Sequence, residues 1–218
     1  FAIGRTTRTP RTPRQPHRSD EVTVCLRMKP LESEKDGLQY EIDSPVAEKE
    51  SYFHVHLGSA TRVYRFAHIF DQSSTPEDVN AYLLPQIHVR LQKNQNVSIG
   101  CYGPTGSGKT YTMSSVMPCV IREIFKTYSK IGTTFEMAAI QIYCDQVFSL
   151  ISDEDISEPQ IISTKSNVLN TTLPSVRVNN YAQALQTIKA AQKMRVHEGA
   201  RSNRSHTMLF LYMISGDN

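Results

Sequence analysis

Tyr102-Gly103-Pro104-Thr105-Gly106-Ser107-Gly108-Lys109-Thr110-Tyr111-Thr112-Met113 decides how this chain is read. Within it a glycine, four intervening residues and Gly108-Lys109-Thr110 have the spacing of a phosphate-binding loop. Glycines let the backbone wrap closely around phosphate oxygens, and amides at the start of a helix offer donors to an anion. At this spacing Lys109 can reach the β and γ phosphates and Thr110 can hold magnesium. An ordinary glycine-rich turn requires neither the Lys-Thr pair nor these intervals. The motif implies a nucleoside triphosphate and leaves open which base it carries and what its energy drives.

The flanks supply the context such a loop needs. Residues 97–102 read as a strand, and Lys109 begins a helix whose periodicity restarts at Pro118 through Val120, Ile121, Ile124 and Phe125. Upstream, residues 52–57 and 62–66 read as short strands with Gly58-Ser59 as a hairpin turn between them. Thr75-Pro76-Glu77-Asp78 opens a helix, with Thr75 as cap, Pro76 in the first helical position and Asp78 three residues after the cap. This helix runs toward Lys93 despite the kink-prone Pro85. Val22, Val24 and Leu26 recur with the period of a strand that Pro30 closes. Downstream, residues 135–148 form a long strand or strand pair, residues 152–172 are polar and irregular, residues 181–194 have helical spacing and residues 208–214 are an apolar strand. The alternation predicts an α/β fold with a central mostly parallel or mixed sheet and helices on both faces.

With 218 residues, 39% of them hydrophobic, the chain can bury one ordinary core as a single domain. Cys25, Cys101, Cys119 and Cys144 are widely spaced, which argues against a disulfide framework or zinc site and for a reducing, intracellular compartment. No apolar run approaches the roughly 20 residues of a membrane span, and the first residues are arginine-rich, so a soluble protein is expected. Arg5, Arg8, Arg11, Arg14 and Arg18 all precede the first acid, Asp20. With Thr9-Pro10, Thr12-Pro13 and Gln15-Pro16 and no hydrophobic periodicity, residues 1–20 read as a basic flexible arm ahead of a folded part at 21–218. Such a charge run is ordinarily solvated, and the reading includes neither a nucleic acid nor a membrane partner. The repeated Arg-Thr-Pro unit makes Thr9 and Thr12 candidates for proline-directed phosphorylation, which would cancel part of the positive charge. His54 and His56 share one face of a predicted strand, but the sequence offers no third ligand nearby and no metal site is assigned to them.

The stretch from Tyr102 to Met113 closely resembles the signature of kinesin motor domains, where an aromatic residue, a phosphate loop and a Tyr-Thr-Met or His-Thr-Met tail stand together. Other segments agree in order. Arg27-Met28-Lys29-Pro30 is similar to the family's Arg-x-Arg-Pro beside the adenine, with Lys29 lacking arginine's planar stacking surface. Tyr64-Arg65-Phe66-Ala67-His68-Ile69-Phe70 followed by Thr75-Pro76-Glu77-Asp78-Val79 resembles the phenylalanine-rich strand and the start of the first long helix. Tyr111 takes the position that lies against the base and would favour ATP through stacking. Gln141-Ile142-Tyr143-Cys144-Asp145 resembles Glu-Ile-Tyr-Asn-Glu in part, and Ser202-Asn203-Arg204-Ser205-His206 resembles the switch I sequence Ser-Ser-Arg-Ser-His, which senses the γ-phosphate. The basic arm is loosely similar to extensions of some mitotic kinesins.

The resemblance covers nearly all of residues 22–214 and implies a P-loop NTPase of the kinesin motor fold. It stops before the switch II segment Asp-x-x-Gly-Ser-Glu and the helices that make most of the microtubule contact. The chain is therefore read as a partial motor domain, and its terminal strand is expected to lack partners and leave an open sheet edge. By resemblance Arg27, Lys29, Pro30 and Tyr111 would flank the adenine, and Gly103, Pro104, Thr105, Gly106, Ser107, Gly108 and Lys109 would hold the phosphates. Thr110 and Ser202 would hold magnesium, and Lys109, Ser202, Asn203 and Arg204 would form the catalytic group. The implied cofactors are ATP and Mg2+. Microtubules are the implied partner of the complete motor, with any dimerisation in regions outside this chain, in the cytoplasm and cytoskeleton and with the spindle as a candidate location. Asp153, Glu154, Asp155 and Glu158 outnumber Lys165 in a segment that would approach the microtubule, where they would repel tubulin's acidic surface unless this is only a variable loop.

Three departures surround the phosphates: Pro104 replaces the usual glutamine, Gly199 an asparagine and Asn203 a serine. A serine hydroxyl both donates and accepts in a proton relay, whereas an asparagine amide does not relay a proton in the same way. Two alternatives therefore stay open: a kinesin-like module that holds nucleotide and hydrolyses it slowly, and a P-loop ATPase or GTPase of another kind. Arg27, Pro30 and Tyr111 on the adenine side argue against the latter.

Overall fold

The computed structural model describes residues 2–6, 22–30, 39–44, 50–129, 132–143, 146–151, 173–196 and 205–215. They fall into two compact units, one of Phe1–Thr9 with Leu83–Asn218 and one of Pro10–Tyr82.

The larger unit is organised by β8 (Thr133–Tyr143) and β11 (His206–Ser215). Consecutive residues Met137, Ala138, Ala139 and Ile140 of β8 are all buried, the pattern of a strand covered on both faces. β11 runs antiparallel to it through ten pairs, from His206↔Ile142 to Ser215↔Thr133. On the other side of β8, β9 (Gln146–Ser149) folds back along one end and β10 (Val176–Arg177) pairs near the other. Beyond β11 lies β1 (Ala2–Thr6), parallel to it, and beyond β1 lies the two-residue β7 (Val97–Ser98), antiparallel. The sheet is thus mixed, with antiparallel ladders in the majority.

One face of this sheet gathers Ala138, Ile140, Leu173 and Phe210, with Ile142, Val147, Met208 and Tyr212 against them. The opposite pleat carries Phe135, whose ring centroid lies 4.3 Å from that of Phe125 on α2 (Lys109–Tyr128). The buried stripe of α2, formed by Val116, Val120, Ile121, Ile124 and Phe125, has the spacing of a single helical face. α3 (Tyr181–Val196) packs beside α2 and buries Ala184, Ile188 and Ala191. Its start is fixed reciprocally: Gln183 N donates to Asn180 Oδ1 at 3.0 Å, and Asn179 N donates to Gln183 Oε1 at 2.8 Å.

The smaller unit contains β2 (Cys25–Arg27) parallel to β6 (His68–Phe70), and a three-stranded meander of β3 (Tyr40–Asp43), β4 (Ser51–Leu57) and β5 (Ala60–Phe66). Leu57 and Ala60 close the hairpin around Gly58-Ser59, as the sequence indicates. α1 (Pro76–Gln92) starts in this unit and continues through Pro85 into the larger one. Thr75 N donates to Asp78 Oδ2 at 2.8 Å and Asp78 N donates to Thr75 Oγ1 at 3.2 Å, a reciprocal cap. The Thr75 amide and hydroxyl hold the Asp78 carboxyl below the usual range. Because the folded-state pKa is lowered, this contribution is present above the unfolded value and is lost as pH falls through the folded one. Thr75→Ala is expected to lower stability by on the order of 1 kcal/mol through loss of the cap hydroxyl, and to flatten the acid limb of a denaturation profile taken against pH only in part, because the amide of residue 75 still donates to Asp78.

Several boundaries differ from the sequence reading. Residues 2–6 form a strand where a flexible arm is expected, because backbone pairing on both sides supplies what the composition lacks; residues 7–21 lie outside the described residues. The terminal strand is not an open edge, since β11 is flanked by β8 and β1. The period-two reading of residues 22–26 gives way to a strand at Cys25–Arg27, with Val22 and Val24 exposed. The strand expected over 97–102 is only Val97–Ser98, the two residues that β1 reaches.

Candidate nucleotide site

From β7 the chain passes through residues 99–102 into the loop 103–108 and then α2. Gly106 and Gly108 have φ of 82° and 90°, left-handed values that a side chain would strain. At Gly103 the constraint is proximity, because a Cβ there would stand 2.8 Å from Ser107 Oγ. Ser107 N donates to Pro104 O at 3.3 Å and closes a turn through Thr105 and Gly106. This turn aims two carbonyls inward: Lys109 Nζ donates to Gly103 O at 2.8 Å and to Pro104 O at 2.6 Å. The sequence offers no sign of these acceptors, because they belong to the main chain.

α2 begins with Gly108 as N-cap, makes no side-chain capping bond and has no acid in its first turn. The first-turn amides and the positive end of the helix dipole therefore meet no carboxylate of that turn, which is the electrostatic requirement for an anion. Lys109 adds a full positive charge at the same end. Thr110 is exposed beside it, and a single hydroxyl suits Mg2+, which keeps most of its octahedral shell as water and phosphate oxygen. Tyr102 and Tyr111 present large exposed rings on either side of the loop, at 105% and 63% relative exposure. Tyr102 was part of the sequence signature but not of the expected site; its full exposure singles it out as a second aromatic surface.

The structure thus brings together Gly103, Pro104, Thr105, Gly106, Ser107, Gly108, Lys109, Thr110 and Tyr111. Arg27, Lys29 and Pro30 follow one another at the end of β2 in the smaller unit, where Met28 N donates to Phe70 O at 2.8 Å. Burial raises the pKa of the neighbouring Cys25 thiol despite a bond from Tyr82, which makes it a poor nucleophile. Ser202, Asn203, Arg204 and Gly199 lie outside the described residues, as do Asp153, Glu154, Asp155, Glu158 and Lys165. His56 Nδ1 lies 3.1 Å from Thr61 Oγ1, and its Nε2 lies 3.8 Å from Glu41 Oε1. Gln141, in the segment that partly matches Glu-Ile-Tyr-Asn-Glu, is 1% exposed, and its Nε2 has no hydrogen-bond partner among the described residues.

With the loop in place, comparison with known families is decisive: the kinesin motor domain profile matches residues 27–218. The chain belongs to the kinesin motor domain family. It is 27% identical over 210 residues to human centromere-associated protein E, covering 89% of this chain and 8% of that protein. Kinesin-related protein 13 of Dictyostelium discoideum is 27% identical over 165 residues, 67% of this chain and 13% of its own. For kinesin-like protein KAR3 of Saccharomyces cerevisiae the figures are 29% over 178 residues, 71% and 24%. The chain therefore spans less than a quarter of the length of each of these relatives. Among solved structures, that of a fast kinesin has a TM-score of 0.71 at 17% identity, covering 88% of this chain and 64% of the other. The Kar3 motor domain of Candida glabrata has a TM-score of 0.68 at 20% identity, covering 91% and 74%. These likenesses establish a kinesin motor fold, a P-loop NTPase architecture with a mixed sheet and helices.

Proposed function

We propose that this kinesin-family chain is the nucleotide-binding part of a microtubule motor that binds ATP with Mg2+ and, in the complete domain, hydrolyses it with stimulation by microtubules. The observation that carries the reading is the arrangement at the start of α2: an acid-free helix end, two left-handed glycines and Lys109 folded into its own loop. An ammonium has three donors, and Lys109 places two on carbonyls that phosphate oxygens can replace with stronger, charge-assisted bonds. Thr110, exposed in the first turn of α2, would contribute its hydroxyl to Mg2+, which when bound would neutralise charge developing on the transferred phosphoryl group. Tyr111, and Arg27, Lys29 and Pro30 by family likeness, are assigned to the adenine, and Ser202 and Arg204 to the switch that reports the γ-phosphate. Dimerisation is assigned to regions beyond this chain, and the cellular setting to the cytoplasm and cytoskeleton, including the spindle.

A second reading, slow hydrolysis in a nucleotide-holding module, is favoured by Pro104, which lacks an amide donor, and by Gly199 and Asn203. Phosphate release by a chain continued through the rest of the motor domain, with and without microtubules, separates the two; stimulation supports the motor and its absence supports the module. Within that assay Asn203→Ser is expected to raise single-turnover hydrolysis about a hundredfold, the lower end of a general acid-base contribution. Equal rates in the two proteins would remove Asn203 as a brake.

A further inference from the structure

We propose that the outer edge of β5 is a docking strand for an extended acidic peptide of a partner protein, which adds to the meander of the smaller unit as a further strand. β5 stands at the end of the order β3-β4-β5. It pairs with β4 at every position from Ala60↔Leu57 to Phe66↔Ser51, and its opposite side makes no backbone hydrogen bond among the described residues. Edge strands are ordinarily short, or blunted by proline, a bulge or charge. β5 has seven residues in unbroken register and no proline, and Val63 and Tyr64 at its centre are 54% and 45% exposed. Its one protection is the positive charge of Arg62 and Arg65. Arg65 Nη1 lies 3.4 Å from Glu50 Oε2 in an exposed pair that contributes little and that another carboxylate can displace. Arg62 forms no ion pair among the described residues.

That charge selects the occupant. Two copies of the chain joined β5 to β5 would line up Arg62 and Arg65 of both along one seam, and like charges across a ladder destabilise it. An acidic strand meets the opposite sign. Side chains alternate between the faces of a strand, so Arg62 and Tyr64 lie on one face and Val63 and Arg65 on the other. The residues that fit across the seam follow: a carboxylate opposite Arg62, a second opposite Arg65, and apolar side chains between them opposite Val63 and Tyr64. The pattern acid-apolar-apolar-acid reads the same in both directions and so suits parallel or antiparallel addition. Main-chain bonds to the open edge supply attachment, and the alternating side chains supply selectivity. β3, at the other end of the meander, carries Glu41 and Asp43, but these alternate onto one face, so β3 of a second copy would match only one of the two arginines.

Fluorescence anisotropy of a labelled peptide with the core Thr-Asp-Val-Val-Glu-Thr, titrated with the full chain, tests this together with amide hydrogen exchange of the complex. The acidic peptide should bind, and the same peptide with lysine for both acids should bind about tenfold or more weakly. Arg62→Glu should weaken the acidic peptide about fivefold or more, and because Arg62 is exposed the thermal melt should not move. On binding, alternate amides between residues 61 and 65, open to exchange in the free chain, should become protected, which adhesion through side chains alone would not cause. Absence of binding, equal binding of the lysine peptide, or binding without new protection at these amides would each overturn the proposal. Sedimentation of the unmodified chain as an oligomer that Glu41→Lys disperses would also overturn it, by giving the edge to copies of this chain.

Discussion

Lys109→Ala is expected to weaken ATP binding by about a hundredfold or more while leaving the fold in place. Hydrogen bonds to charged groups contribute roughly 1.5–3 kcal/mol each, and the ammonium can offer two or three to phosphate. The folded protein loses far less. The two acceptors of Lys109, Gly103 O and Pro104 O, belong to a half-exposed and an exposed residue, so water can replace the ammonium there. Calorimetric titration with Mg-ATP beside a thermal melt reads both quantities in one preparation. Unaltered affinity would show that the loop does not use its lysine on phosphate, and a large drop in melting temperature would show that the lysine is structural. Lys109→Arg is not a rescue, because a planar guanidinium cannot sit as a compact charge between two carbonyls.

Phe125→Ala should cost about 3–5 kcal/mol of stability, a large share of the roughly 5–15 kcal/mol typical of a domain. Phe125 is 5% exposed, and its ring meets Phe135, 3% exposed, at 4.3 Å between centroids. Truncation removes the buried ring and leaves a cavity between α2 and β8 that neighbouring side chains fill only in part. Denaturant unfolding should show a lower midpoint with an unchanged slope. Because α2 carries Lys109 at its other end, a milder loss of nucleotide affinity should accompany the change at temperatures where the variant is still folded. Phe125→Leu should recover much of the stability, and equal stability of Phe125→Ala and the unmodified chain would show that this contact does not bind the helix to the sheet.

What could be read from the sequence depended on whether side chains or backbone carried the signal. The phosphate loop was legible because its chemistry demands particular residues at fixed intervals, and the structure shows Gly106 and Gly108 at left-handed φ and Lys109 bonded to carbonyls of the loop. The buried face of α2 was legible for a related reason, since Val120, Ile121, Ile124 and Phe125 repeat with a helix's own period. β1 was not legible. Its five residues have no useful periodicity, and its partners lie far away in the chain, at residues 97–98 and 210–214. The acceptors of Lys109 escaped because every residue has a carbonyl, and Val22 and Val24 misled because alternation alone does not show that a neighbouring surface exists to cover it. Gln141 is polar, yet it lies buried inside the sheet because β8 is flanked on both sides.

The pairing of Ala2 with Phe210 also sets an order of events during synthesis. The first of these strands leaves the ribosome about 200 residues before its partner, which at about 5–20 residues per second is a wait of roughly 10–40 s. Contacts so distant along the chain form late and slowly. Through that interval residues 2–6 stand without the strand they pair with, so this part of the sheet should gain its hydrogen-exchange protection only after β11 has emerged.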